Sequence, residues 1–167
     1  DSSTQVAGYA YSISKAINFS NADETYVLGM FRDVGKLLIY KQYERYPELL
    51  EKAYLQNNVD LATFEEEKLG ISHPLCSYKV ADNWRLPPLM CDVIAFHHQV
   101  ADLLSYGEPV QRRMLAVLKF AEHLASTHSV FSEKSEDHEW QQFEPQLLET
   151  LNLDMESGKK LAEEITE

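Results

Sequence analysis

The chain has 167 residues, 44% of them hydrophobic and 25% charged, with a formal net charge of −12. This is a globular composition, which excludes a disordered polymer. The acidic balance and the lack of a basic stripe argue against nucleic acid or an anionic membrane as the main partner. No run approaches the ~18 apolar residues of a membrane span, and no signal peptide is apparent. The two cysteines, Cys76 and Cys91, are too far apart for a CxxC motif. They read as reduced thiols acting as small buried hydrophobes in a cytoplasmic protein. Because the sequence opens at Asp1 without Met, it reads as a fragment of a longer protein.

Helical periodicity runs through the chain, with no strand alternation. A first helix is expected over residues 3–19. Acids after Asn21 mark the start of a second, which runs unbroken to Tyr40 and carries an apolar stripe of Tyr26, Met30, Leu37 and Tyr40. A tyrosine-rich segment follows, with a helix near Pro47–Gln56 broken by Asn57-Asn58. Asp60 caps a short helix that Gly70 ends. Ser72 caps a helix to Trp84, and Pro87-Pro88 stops that one and starts another. Gly107-Glu-Pro109 opens a long helix to about His128. Residues 129–139 read as a charged loop, before short helices near Pro145–Leu151 and from Asp154 to the end. The predicted fold is all-α, an irregular multi-helix bundle. Its core spans residues 1–128, and residues 129–167 supply a loop and C-terminal helices that pack on it.

Several of these helices carry metal-type ligands on apolar faces. Asp33 falls within the stripe of the second helix. His73 aligns with Cys76, Ser77, Val80 and Trp84, while His97 continues the face of Met90, Val93 and Ile94, with His98 one step around. Glu122 follows Leu115 and Leu118 in the long helix. A buried carboxylate is costly unless it is paired, hydrogen-bonded or bound to metal. Two carboxylates and three imidazoles would suit a single divalent transition metal such as iron, manganese or zinc. Taken singly, each His is more simply a core histidine and Glu122 a half-exposed helix acid, so the case rests on their joint order. His123, His128 and His138 read as surface residues.

That order runs Asp33-Val-Gly-Lys36, Gly70-Ile-Ser-His73-Pro, Trp84-Arg-Leu-Pro87, His97-His98, and an acid in Phe120-Ala-Glu122-His-Leu-Ala. It resembles the HD superfamily, and within it the HDOD family of bacterial signalling proteins, over about residues 5–128. The Glu65–Glu67 lead-in to Gly70 belongs to the same pattern. The resemblance implies an HD-like fold, a metal site at Asp33, His73, His97, His98 and Glu122, and a phosphate-binding Lys36 if the domain is active. It also implies that an upstream helical half is missing from this chain. Two departures stand out. An active HD phosphohydrolase has His where this chain has Arg32, and a further His where it has Tyr11. Arg32 stays protonated and cannot ligate metal, so it is expected to replace a metal as the charge that satisfies Asp33 or Glu122.

The implied function is a non-catalytic bacterial signal-transduction output or response-regulator module with a degenerate metal site. It would act on a regulatory protein partner, or on an attached receiver or sensor domain, and a homodimer is compatible with this. The competing reading is a metal-dependent phosphohydrolase or cyclic-nucleotide phosphodiesterase that uses the residual ligands. Gln99-Val-Ala-Asp follows the paired histidines where a Gly-Tyr-Pro motif would mark the cyclic-di-nucleotide branch. A metal or redox sensor is a third reading.

Overall fold

The computed structural model of the chain describes residues 2–56, 59–128 and 138–167. The Asn57-Asn58 break and most of the expected 129–139 loop lie outside the described residues, as does the side chain of His128. The described residues are all-α, with eleven helices and no strand. In chain order these are α1 (Ser2–Ala16), α2 (Ala22–Phe31), α3 (Val34–Gln42), α4 (Tyr46–Leu55), α5 (Leu61–Leu69), α6 (His73–Asn83), α7 (Pro88–Phe96), α8 (Val100–Tyr106), α9 (Pro109–His128), α10 (His138–Thr150) and α11 (Met155–Thr166). None is long and apolar enough to cross a membrane. The helices form two compact units, one of Asp1–Met30 with Gln99–Glu167, the other of Phe31–His98. The sequence reading divides the chain at residue 128 instead.

In the first unit α1 lies along α9. Val6, Ala7, Ala10 and Ile13 face a continuous buried run that includes Leu115, Leu118 and Ala121. Small residues let α2 approach α1. A Cβ on Gly29 would sit 2.6 Å from Ala7 Cα, and Thr25 and Ser14 share a buried hydroxyl contact at 2.8 Å. The helix α10 is pinned to α9 by Trp140, which stacks on Phe120 and on His123 at centroid distances of 5.0 and 4.9 Å. His123 is therefore half-buried and in ring contact, not a bare surface residue as expected. Asp154 caps α11 through Ser157 N at 2.7 Å.

The second unit holds α3–α7. Asp60 accepts from Thr63 N at the start of α5 and Gly70 ends that helix with φ 72°, as its sequence implies. The backbones of α3 and α6 come close at Gly35, whose N–H donates to Ser77 Oγ at 2.8 Å. The expected unbroken helix from Asn21 to Tyr40 is instead two, interrupted at Arg32-Asp33, where Asp33 takes φ −113° and ψ 7°. Apolar periodicity continues across the break, so it does not reveal it. Restarting at Val34 turns Gly35 and Ile39 inward and leaves Leu37, Leu38 and Tyr40 exposed, so the expected stripe is not buried. The short helix α8 has no counterpart in the sequence reading, although Val100 and Leu103 give it a buried edge.

Candidate metal centre

Four of the predicted ligands meet in the second unit. Asp33 stands at the α2–α3 break, His73 at the first position of α6, and His97 and His98 just beyond the end of α7. Their ligand atoms all lie within 4.8 Å of one another. His73 Nε2 is 3.0 Å from His98 Nε2 and 3.5 Å from Asp33 Oδ1. His97 Nε2 is 3.8 Å from the same oxygen. A four-coordinate ion with bonds of about 2.0–2.1 Å holds its ligand atoms about 3.3 Å apart, so the constellation needs only a small contraction to close on one.

The tautomers can be read from the partners. His97 Nδ1 is 2.6 Å from the Ile94 carbonyl, which can only accept, so the proton sits on Nδ1 and Nε2 turns a lone pair to the cluster. His73 Nδ1 is 2.7 Å from Glu65 Oε2, and the same oxygen accepts the His73 backbone N–H at 2.7 Å. Glu65 is wholly buried and its other oxygen accepts from the buried Tyr46 hydroxyl. A carboxylate behind a ligating histidine, orienting it and raising its basicity, is the usual outer shell of a metal site.

Charge agrees with this arrangement. Burial pushes the Glu65 carboxyl up, but the hydrogen bond and charge of His73, then the Tyr46 hydroxyl, outweigh it and hold Glu65 below the ordinary carboxylate range. Burial holds the His73 imidazole below its ordinary value, against the pull of Glu65 and Asp33. The pair is therefore an ionised carboxylate accepting from a neutral imidazole. For Tyr46, burial and then Glu65 push the phenol up, so it stays a donor. Burial also raises Asp33, but Lys36, Arg32 and the two histidines overcome it and keep Asp33 well below the usual range.

Asp33 uses its two oxygens differently. Oδ1 faces the imidazoles, whereas Oδ2 takes Lys36 Nζ at 3.1 Å and the Arg32 guanidinium at 3.6 Å. Arg32 is only 5% exposed, so its guanidinium is buried beside Asp33. Glu122, expected as a fifth ligand, belongs to the first unit and is not part of the four-residue cluster. Its carboxylate accepts from Lys119 Nζ at 3.0 Å, and the same buried amine donates to Glu139. Tyr11 is exposed on α1, also in the first unit. Cys91 is buried and Cys76 half-buried. Burial pushes both thiols up, away from thiolate character.

The sequence reading missed Glu65 and Tyr46 as site residues. The phase of α5 was the one signal for Glu65, since of Glu65, Glu66 and Glu67 only the first follows the inward-facing Phe64 side of the helix.

Fold and site together define an all-helical module with a three-histidine, one-aspartate donor set of the HD type, which residues present here can supply to a divalent metal. The HDOD domain family matches residues 1–100, and the chain belongs to that family. Three solved structures share the fold. A protein of Shewanella amazonensis SB2B bearing the name "Putative phosphohydrolase" superposes with a TM-score of 0.67 at 19% identity, covering 99% of this chain and 57% of its own. The MmoQ response regulator of Methylococcus capsulatus str. Bath gives 0.63 at 20%, covering 96% and 58%. An HDOD domain protein with unknown function from Geobacter sulfurreducens gives 0.60 at 20%, covering 96% and 61%. The chain thus spans about three fifths of these proteins' length. No curated protein matches it.

Proposed function

We propose that this chain is part of a bacterial cytoplasmic signal-transduction protein, and that its second unit binds one divalent transition metal for a structural or regulatory purpose, without hydrolysing phosphate esters. Asp33, His73, His97 and His98 would hold the ion. The observation that carries this reading is the buried Arg32 beside Asp33 Oδ2. Two-metal hydrolysis needs ligands for a second ion about 3.5–4 Å from the first. Here the second oxygen of Asp33 faces two cations, Lys36 and Arg32, and by the sequence resemblance Arg32 takes the position of a ligating histidine. When bound, the metal would supply Lewis acidity and a permanent positive charge. The residues themselves fix the imidazole lone pairs, through Glu65 and the Ile94 carbonyl, and neutralise Asp33 through Arg32 and Lys36. The family assignment and a neighbour named as a response regulator support a signalling role. A regulatory partner protein, an attached receiver or sensor domain, or a second copy would receive the signal.

The intact four-residue donor set favours a second reading, a single-metal phosphohydrolase in which Lys36 binds phosphate. One experiment separates the two. Metal content of untagged protein, by mass spectrometry before and after chelator dialysis, is expected near one equivalent and is lost in His73→Ala and His97→Ala. The loaded protein is expected to show no turnover of phosphomonoesters or cyclic dinucleotides. Turnover that follows metal content would establish the hydrolase. Folded protein that takes up no metal would end both readings of the site.

A further inference from the structure

Helix α4 is lightly anchored. Of its ten residues only Tyr46 and Ala53 are buried, while Leu55 projects into solvent. Its inward-facing tyrosine donates to Glu65 Oε1. The other oxygen of Glu65 accepts both the backbone N–H and the ring Nδ1–H of His73, each at 2.7 Å, and His73 Nε2 meets the cluster. An unbroken line of hydrogen bonds therefore joins the metal ligands to the first turn of α4 through two side chains that water does not reach. A carboxylate that accepts from three donors is held in one rotamer only while all three stay in place. When His73 is drawn toward a cation its Nδ1–H becomes a stronger donor, which pulls Glu65, and with it Tyr46, into register.

We propose that Tyr46 and Glu65 are positioning residues of the metal centre that couple its occupancy to the docking of helix α4. The α4 surface would then report whether the centre is filled. The inference rests on the metal-binding reading above. It runs both ways, because any factor that lifts α4 away must weaken the metal by the same ratio.

The test uses the whole chain, the conservative variant Tyr46→Phe, and Glu65→Gln. Cobalt(II) serves as probe, with titrations followed by its visible absorption and by competition with a chelator. Removal of an outer-shell partner typically weakens a metal 10–100-fold. Glu65→Gln is expected within that range and Tyr46→Phe about tenfold, with a shifted cobalt spectrum in Glu65→Gln. Hydrogen exchange supplies a readout that a merely structural tyrosine would not move. In the parent chain, metal is expected to slow exchange of residues 46–55. In Tyr46→Phe, metal should still slow α6 and α7 but leave residues 46–55 unchanged. Metal protection of α4 that survives in Tyr46→Phe, or α4 exchange indifferent to metal in the parent chain, would overturn the coupling while leaving the metal site standing. Failure of the parent chain to take up cobalt at all would overturn the site, and the inference with it.

Discussion

Arg32 is the residue on which this site turns. Its guanidinium lies buried beside Asp33, while Lys36 reaches the same oxygen from the half-exposed side. Two cations on one carboxylate stabilise the site without metal, and they compete with any cation that approaches Oδ2. Arg32→Ala should therefore destabilise the metal-free protein by about 1–3 kcal/mol, the cost of leaving a partly buried charge less well partnered. It should also increase the extra stability that added metal confers. Urea denaturation with and without zinc measures both. An unchanged midpoint in both states would show that Arg32 does not act on Asp33. Identity at these positions could be read from the sequence, because Asp-x-Gly-Lys, Gly-x-x-His-Pro and His-His are local patterns. The roles of Glu65 and Tyr46 could not. Each lies in a run of similar residues, and only the packing of α5 against α6 selects Glu65 from its neighbours.

Among the elements, α3 and α6 decide whether the ligands meet. A Cβ on Gly35 would fall 2.2 Å from the His73 carbonyl oxygen and 2.7 Å from Ser77 N. Both are backbone atoms that cannot swing aside. Gly35→Ala should push α6 away and cost about 3 kcal/mol, at the upper end for overpacking, and it should weaken metal binding because His73 begins α6. Gly8 is the matched control, since a Cβ there meets nothing within 4 Å. Gly8→Ala, within α1, should stabilise by about 1 kcal/mol through helix propensity alone. Thermal melts of the two variants check the contrast, and equal effects would refute it. Helix ends were legible where a cap is chemical and local, as at Asp60 and Gly70. The break at Arg32-Asp33 was not, because the apolar spacing of the sequence runs straight through it. The short α8 was missed for a related reason, since seven residues offer too few turns for periodicity to stand out.

At the scale of the whole molecule, the buried ionisable groups of the second unit set the pH response of stability. The folded values of His73, Glu65 and Asp33 all lie below their ordinary values of 6.5, 4.5 and 3.8. A lowered folded value means that the unfolded chain binds the proton first, so each contribution is present above the ordinary value and is lost as pH falls toward the folded one. The metal-free protein should thus hold its stability at pH 7–8, weaken below about 6.5 as the unfolded imidazole protonates, and weaken again below about 4.5. Urea midpoints at pH 8, 6 and 4, followed by far-ultraviolet circular dichroism, test this. A midpoint that is flat or rises from pH 8 to 6 would contradict the neutral His73–Glu65 pair. Added metal should make the upper step steeper, because ligand protonation competes with binding.

Periodicity, capping signals and local motifs determined the all-α class, most helix starts, and the identity of the one aspartate and three histidines that gather at the centre. They did so because capping, turn chemistry and apolar spacing act over a few residues. The tertiary structure decided what depends on residues far apart in sequence. It showed that Asp33, His73, His97 and His98 converge, and that Glu65 backs His73 and is itself held by Tyr46. It also showed that Glu122 is engaged by a buried lysine in the first unit. Each of these outcomes depends on helix phase and on the approach of one backbone to another, here permitted at Gly35, and neither is encoded in any short stretch of the chain.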